Sequence, residues 1–209
     1  MEGLIKYTND IQIAKYRGKK ILLKTINKKK QYKAEYAIAR KLINDTSSNQ
    51  LVYWNKQRKM LGYKLLSIQW KNLDELLEAK VKLSQQAKIN IMRNCRKILE
   101  KYHNKYDIAH LDVKTKNIMV TMSGSVKLID YDLSEDLSKV DGEWDRNAYI
   151  FTDYRALVDV CIQIILKYDW ENYKETEYSK LSFDKVEAKL MKEFNKIITI
   201  LLEKSEDYL

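Results

Sequence analysis

The chain has 209 residues, 45% of them hydrophobic and 33% charged, and a formal net charge of +10, a balance typical of a folded globular protein. No stretch approaches the ~20 consecutive apolar residues of a membrane span, and the first ten residues, MEGLIKYTND, lack the pattern of a secretory signal. Two cysteines, Cys95 and Cys161, exclude a disulfide framework and a cysteine-built zinc site, and they favour a reducing, cytoplasmic environment.

The first 70 residues predict a sheet with one helix. Five segments are apolar or alternate between apolar and polar residues, as strands do: 4–7, 11–16, 20–26, 51–54 and 62–70. Gly18 and Gly62 mark turns between neighbouring strands. From Gln31 to Ile43, apolar residues recur at three- and four-residue spacing, which predicts a helix between the third and fourth strands.

The remainder of the chain predicts mainly helices. Asn72 is a candidate cap for a short helix. Longer helices are predicted at 84–103, 153–168 and 183–203. Segments 118–122 and 126–130 flank a Ser-Gly-Ser turn and predict a hairpin, whereas residues 133–152 are polar and predict irregular structure. Ser182 is a candidate cap for the last helix.

This order of elements predicts an α+β fold with two lobes that together form one domain. We expect a small N-terminal lobe over residues 1–70 and a helical C-terminal lobe over residues 71–209. Small ligands usually bind in the cleft between such lobes.

The most informative segment lies around the predicted hairpin. Asp112 and Asn117 belong to a polar loop, and Asp130 ends the second hairpin strand, which brings it back beside Asn117. A carboxylate and an amide oxygen at one point suit Mg²⁺, a hard cation. Asp112 remains free to accept a proton, and Lys114 can bring a positive charge to the same place. This combination favours phosphoryl transfer, which depends on positioning and charge neutralisation.

These residues resemble the eukaryotic-type serine/threonine protein kinase family. HLDVKTKN, at 110–117, looks like the catalytic loop HRDLKxxN, and IDYDLS, at 129–134, looks like the DFG segment. The offset of 18 residues from Asp112 to Asp130 also matches the family. The resemblance implies a protein-kinase-like two-lobed fold with a reduced C-terminal lobe. It also implies ATP- and Mg²⁺-dependent phosphoryl transfer to serine or threonine of a protein substrate.

The resemblance assigns the nucleotide site. ILLK, at 21–24, resembles the strand that carries the phosphate-binding lysine, which is therefore Lys24. Glu35 resembles the glutamate that orients this lysine. Leu22 and Met119 occupy the positions at which the family sandwiches adenine.

The resemblance also assigns the chemistry of transfer. Asp112 is implied as the base for the attacking hydroxyl, and Lys114 would steady the γ-phosphate. Asn117 and Asp130 would hold the metal. Asp153 resembles the aspartate that braces the catalytic loop from a central helix. His110 is expected to pack in the core rather than act as an acid or base.

Several positions depart from the family pattern. No GxGxxG is present, since residues 1–20 contain only Gly3 and Gly18. Leu111 replaces the arginine of HRD, and Asp132 replaces the glycine of DFG. The absence of proline removes the APE motif, and only 23 residues separate Asp130 from Asp153. The sequence therefore predicts a minimal kinase.

Three alternatives remain open at this stage. The first is a small atypical kinase or ATPase of the RIO sort, and the second is a pseudokinase that acts as a binding partner. The third is a nucleic-acid-binding or ribonucleoprotein-associated module, favoured by the net charge of +10 and by the lysines at 19, 20, 24 and 28–30. The lysine-rich, proline-free composition suggests an AT-rich coding bias and hence a viral or mobile-element origin, with the host cytoplasm as the location.

Overall fold

A computed structural model describes the chain at residues 5–6, 10–166 and 188–206. Five antiparallel strands form the N-terminal sheet: β1 (Ile5–Lys6), β2 (Ile11–Tyr16), β3 (Lys19–Thr25), β4 (Leu51–Asn55) and β5 (Met60–Lys64). Their order in the sheet is β1-β2-β3-β5-β4. Helix α1 (Lys29–Lys41) connects β3 to β4, within two residues of the predicted helix at either end.

One of the two predicted turns of this sheet is confirmed and the other is wrong. Arg17 and Gly18 both have positive φ, 49° and 75°, as a tight hairpin between β2 and β3 requires. Gly62 instead lies inside β5, and the chain turns at residues 56–59. Glycine is needed there for packing, because a Cβ atom on Gly62 would lie 2.8 Å from Ile21 Cδ1. The predicted strand 62–70 therefore ends at Lys64.

Four helices dominate the C-terminal part: α2 (Leu73–Glu78), α3 (Gln85–Lys101), α4 (Glu143–Leu166) and α5 (Ala188–Glu206). The Asn72 side chain accepts hydrogen bonds from Asp74 N and Glu75 N, so the predicted cap of α2 is confirmed. Ser84 caps α3 through Ala87 N at 3.1 Å. The predicted cap at Ser182 lies outside the described residues.

Two small sheets connect the helices and shape the loops between them. β6 (Lys71–Asn72), β8 (Ile118–Val120) and β9 (Val126–Leu128) form one sheet, and β7 (Ile108–Ala109) pairs with β10 (Glu135–Asp136) in the other. β8 and β9 are the predicted hairpin, with Ile118 opposite Leu128. Its turn contains Gly124 at φ 88°, where a Cβ atom would lie 2.6 Å from Ala87 O.

Helix α4 begins ten residues earlier than predicted, at Glu143 rather than Asp153. Tertiary contacts hold its first turns, because the Arg146 guanidinium donates to Asp107 Oδ1 at 2.7 Å and to His103 O at 3.3 Å. The polar composition of residues 133–152 gives no sign of these long-range contacts, which explains the wrong prediction of irregular structure.

The main core lies between α3 and α4. Ile91 and Cys95 of α3 are fully buried, and so are Tyr102, just after α3, and Leu157 and Cys161 of α4. Ile38 of α1 and Leu42, just after its end, belong to the same cluster. Because α1 also packs against the sheet through Tyr32 and Ala39, it links the sheet to the helical part and fixes the position of Glu35.

Candidate active site

A cavity of about 430 Å³ lies between the N-terminal sheet and the β8–β9 hairpin, within the range of small-ligand pockets. Five of the predicted site residues line it: Leu22, Lys24, Glu35, Asn117 and Asp130. Leu22 and Lys24 come from β3, where alternate residues share one face of the sheet. Glu35 is buried on α1, and the other two residues come from the loops that flank the hairpin.

Lys24 is the centre of an ion-pair cluster in this cavity. Its Nζ lies 3.2 Å from Glu35 Oε2 and 2.8 Å from Asp130 Oδ1. It also contacts Asp132 Oδ1. Oxygen atoms of the three carboxyl groups all lie within 4.8 Å of one another. The cluster thus joins the sheet, helix α1 and the segment after β9.

Burial and mutual repulsion set the charge of this cluster. Glu35 is 1% exposed, and burial together with a hydrogen bond to Asp132 raises its pKa to about 8, against the attraction of Lys24. Burial opposes ionisation of Asp132 too, but the hydrogen bonds from Glu35 and Lys24 outweigh it and lower the pKa of Asp132. The two pKa values therefore shift in opposite directions, and a proton bound by this pair lies on Glu35 rather than on Asp132. Tyr63 holds this carboxyl group through a 2.7 Å hydrogen bond to Oε1.

The ammonium of Lys24 remains charged in this setting. Burial lowers the pKa of Lys24, but its contacts with the carboxyl groups of Glu35, Asp130 and Asp132 together outweigh that effect, and the net shift is upward. A charged lysine can bind phosphate when the phosphate replaces part of its contact with the carboxyl groups.

The β8–β9 hairpin brings Asp130 beside Asn117. Ile129 N donates to Asn117 O at 3.0 Å, which closes the base of the hairpin. Asp130 follows with φ 65°, in the left-handed region, which aspartate tolerates better than most residues. Residues that are 13 apart in sequence therefore meet at the cavity, as their spacing predicts.

Asp112 and its neighbours form the second half of the site. Asn117 Nδ2 donates to Asp112 Oδ2 at 2.6 Å and to Asp112 O at 2.9 Å. Lys114 Nζ lies 2.8 Å from Asp112 Oδ2. The Asp112 carboxylate is 19% exposed and the Lys114 side chain is 51% exposed, so a substrate hydroxyl can reach the carboxylate from solvent.

The buried carboxylate of Asp153 stabilises the loop that carries Asp112. Asp153, fully buried on α4, accepts His110 N at 2.8 Å and Leu111 N at 2.7 Å. It also contacts His103 Nε2 at 2.8 Å. Leu111 has φ 58°, an unfavourable conformation for leucine that the hydrogen bond to Asp153 helps to maintain. The loop that carries Asp112 is thus fixed from within the core.

The comparison with known families agrees with this geometry. A family model described as the protein kinase domain matches residues 6–156, more than half of the chain. The chain belongs to the protein kinase family. The matched part of this kinase includes Lys24, Asp112, Asp130 and Asp153, and its α+β architecture is a reduced two-lobed kinase-like fold. A comparison with curated proteins finds no match.

Membership of the kinase family implies ATP as the phosphoryl donor and a protein as the acceptor. None of the helices in the described ranges combines the length and the apolar character that a membrane span needs. Residues 7–9, which contain no glycine, lie outside the described residues. Asp10 and Ile11, where β2 begins, line the cavity.

Three predicted site residues of the kinase do not line this cavity. Met119 lies on β8 between the buried residues Ile118 and Val120 and is partly exposed. It is therefore on the opposite face of the strand, and it is not among the residues that line the cavity. Asp112 and Lys114 line a neighbouring cavity instead.

Sequence reasoning missed three residues of the kinase site. Asp132 appears in the sequence only as a replacement for glycine, yet it contacts Lys24. Tyr63 belongs to a strand segment whose pattern indicates burial alone, yet its hydroxyl group binds Glu35. His103 has the pattern of a packing residue at a helix end, yet its ring contacts Asp153. Only Asp132 carried a usable signal, namely an extra carboxylate two residues after Asp130.

The donor set of the kinase site fits a hard divalent cation. Asn117 uses both N–H bonds of its amide on Asp112, which leaves the amide oxygen as a ligand. Asp130, which the hairpin brings beside Asn117, supplies a carboxylate to the same cavity. Amide and carboxylate oxygens are ligands that Mg²⁺ prefers, together with phosphate oxygens of the nucleotide.

Proposed function

We propose that this kinase transfers the γ-phosphoryl group of ATP to serine or threonine of a protein substrate in a Mg²⁺-dependent reaction. The observation that carries the proposal is the 2.8 Å contact between Lys24 Nζ and Asp130 Oδ1, two residues 106 apart in sequence. It supports a cleft in which a phosphate-binding cation from the sheet faces a metal-binding carboxylate from the helical part.

Each residue has a defined task in the proposed reaction. Lys24, oriented by Glu35, neutralises the α- and β-phosphates. Leu22 and Met119 are the proposed adenine contacts, of which Leu22 lines the cavity. Asn117 and Asp130 would hold Mg²⁺, which would neutralise charge on the phosphates.

The transfer step involves one bond formed and one bond broken. The acceptor hydroxyl oxygen bonds to the γ-phosphorus while the bond from that phosphorus to the β,γ-bridging oxygen breaks, and ADP leaves. Asp112 accepts the hydroxyl proton. Lys114, now 2.8 Å from Asp112 Oδ2, steadies the transferring group. A lysine at this position is the serine/threonine pattern that the resemblance implies.

We also propose that residues 1–70 and 71–209 are the two lobes of one domain. The cytoplasmic location stays a prediction, supported by two free and buried cysteines. Nucleic-acid association and a viral origin also stay predictions that rest on composition alone.

A pseudokinase that binds a partner is the second candidate. Two observations favour it: residues 1–20 contain no glycine-rich motif, and Lys24 is already occupied by three carboxyl groups. Backbone N–H groups of a glycine-rich loop normally contribute to phosphate binding, so their loss weakens the nucleotide site.

A phosphoryl-transfer assay separates the two candidates. Radiolabelled ATP and a mixed protein substrate are incubated with wild-type protein, with and without Mg²⁺, and with Asp130→Ala. The exposed Asp141 provides the matched control Asp141→Ala. We expect Mg²⁺-dependent labelling that Asp130→Ala abolishes and Asp141→Ala retains. Absence of labelling by wild type, with nucleotide binding intact, would favour the pseudokinase.

A further inference from the structure

Two aromatic rings lie side by side on the surface of the N-terminal part, and neither lines the nucleotide cavity. Tyr36 of α1 and Trp54 of β4 have ring centroids 5.9 Å apart, and their planes are tilted by 47°. Tyr36 also stacks on Tyr32, with ring centroids 5.9 Å apart and nearly parallel planes. Because Tyr32 is 4% exposed, the rings have a fixed base in the core. We call Tyr36 and Trp54 the aromatic pair.

A cation lies against each ring of the aromatic pair. The Arg40 guanidinium carbon is 5.3 Å from the centroid of the Trp54 ring, and Lys56 Nζ is 6.0 Å from that of the Tyr36 ring. Both distances are within the range of cation–π attraction. Trp54 remains 39% exposed, so a planar group from solvent can contact its ring while a negative group meets the neighbouring cations.

The aromatic pair belongs to a positively charged surface. Spacings of four, three and four residues place one stripe of side chains along α1: Lys29, Lys33, Tyr36 and Arg40. Residues 28–60 contain seven lysines and two arginines but only two acidic residues. Both acids, Glu35 and Asp45, are 1% exposed, so this segment presents almost no carboxylate surface to solvent. Among the described residues, Lys41 is the one cation of the segment in an ion pair with a carboxylate, that of Asp136.

The combination of charge and aromatic rings indicates which polyanion the surface fits. A positive surface attracts polyanions in general. In single-stranded nucleic acid, the bases can stack on aromatic rings while the phosphates contact lysine and arginine. The bases of a duplex are already stacked on one another. Insertion into a lipid surface needs protruding apolar side chains, whereas more than half of the Trp54 side chain is covered.

We propose that this surface binds single-stranded nucleic acid without strong sequence preference. A base stacks on Trp54, and Arg40 and Lys56 contact the flanking phosphates. Glu35 lines the nucleotide cavity but its neighbour Tyr36 does not, because consecutive residues of a helix point about 100° apart. The binding is therefore a second activity of the chain, independent of ATP and of phosphoryl transfer.

The test compares strands of equal charge with and without bases. Fluorescein-labelled oligothymidylate of about 12 nucleotides, within the usual site size, is titrated beside oligouridylate and an abasic strand of the same length, by fluorescence anisotropy at fixed salt. We expect at least one base-bearing strand to bind about tenfold or more tightly than the abasic strand. Equal affinity for all strands, tighter binding of a duplex, or binding of phosphatidylserine vesicles but of no strand overturns the proposal.

Two variants locate the binding on the aromatic pair and its cations. Trp54→Leu keeps an apolar side chain but removes the ring, so we expect about a tenfold loss of affinity for the base-bearing strand and little change for the abasic strand. Arg40→Gln should weaken binding of both strands alike, by about two- to fivefold, with a smaller salt dependence. Trp144→Leu and Arg155→Gln are the matched controls, because both residues are exposed on α4.

The controls decide whether the ligand binds at this surface. Wild-type affinity in both Trp54→Leu and Arg40→Gln, or equal losses in these variants and in the controls on α4, contradicts the proposed surface. Thermal melting shows whether each protein is folded, and Arg40→Gln keeps the test decisive if loss of the Trp54 ring unfolds the N-terminal sheet.

Discussion

The two halves of the active site are stabilised in different ways. On the catalytic-loop side, the buried carboxylate of Asp153 meets two backbone N–H groups and one histidine ring, so its hydrogen-bonding capacity is well used. On the phosphate side, three carboxyl groups surround the one ammonium of Lys24. The first half is rigid before substrate binds, whereas the second is a balance of charges that a nucleotide or metal can shift.

The largest effect should come from the rigid half. Asp153→Ala leaves two backbone N–H groups and His103 without their buried acceptor, which costs about 3–5 kcal/mol of the free energy of unfolding. Urea denaturation measures this loss. The exposed Asp145 on the same helix provides the control Asp145→Ala, for which we expect a change below about 1 kcal/mol. Equal losses for the two variants would mean that Asp153 does not brace the loop.

The carboxyl groups around Lys24 should make the free energy of unfolding depend on pH. The pKa of Glu35 rises from 4.5 to about 8 on folding, so the folded state holds more protons between these values. The free energy of unfolding of wild type should therefore fall with rising pH relative to Glu35→Gln, by up to about 1 kcal/mol per pH unit, and level off above pH ~8. Parallel stability curves for the two proteins from pH 5 to 8 would contradict this assignment.

Asp132 tests whether the charge balance limits nucleotide binding. Asp132→Asn removes one negative charge that contacts Lys24 and faces the incoming phosphates. We expect metal-free ATP affinity to rise about three- to tenfold, measured by calorimetry. Glu135→Gln, an exposed acid nearby, is the control. Loss of Mg²⁺-dependent binding in Asp132→Asn would instead identify this residue as a metal ligand. That result would contradict the view that Asp132 competes with phosphate for Lys24.

The smallest effect should come from phosphorylation of the segment between Asp132 and Asp153. Ser134 is buried and donates to His110 O at 3.0 Å, and Leu111 cannot bind an added phosphate. Phosphatase treatment of the protein should therefore change the transfer rate by less than about twofold. A larger loss, with the fold intact by circular dichroism, would show that phosphorylation orders this segment.

The difference between local sequence patterns and long-range contacts explains which parts of the site the sequence could predict. The spacing of Asp112, Asn117 and Asp130 on a loop and a hairpin is a local pattern, and the family resemblance adds Lys24 and Glu35 at one strand and one helix. The contact between Lys24 and Asp132, and that between His103 and Asp153, join segments 108 and 50 residues apart. Such contacts follow from tertiary packing, so secondary-structure propensity and hydrophobic periodicity do not predict them.

The start of α4 shows the same limit in the fold. Residues 143–152 have no clean apolar period, and their helix depends on Arg146 reaching Asp107. By contrast, the capping hydrogen bonds of Asn72 and Ser84 and the pairing of β8 with β9 join residues that are close in sequence. Elements that depend on nearby residues were therefore predictable. The predicted element boundaries were wrong where contacts with distant residues determine them.

The central claim is that Asp112 performs the transfer while the other half of the cleft binds the nucleotide. The most direct measurement compares wild type and Asp112→Asn for Mg²⁺–ATP affinity and for phosphoryl transfer on the same samples. The account predicts an affinity within about threefold of wild type and a transfer rate lower by about 10²–10⁴-fold. Wild-type transfer by Asp112→Asn would contradict it.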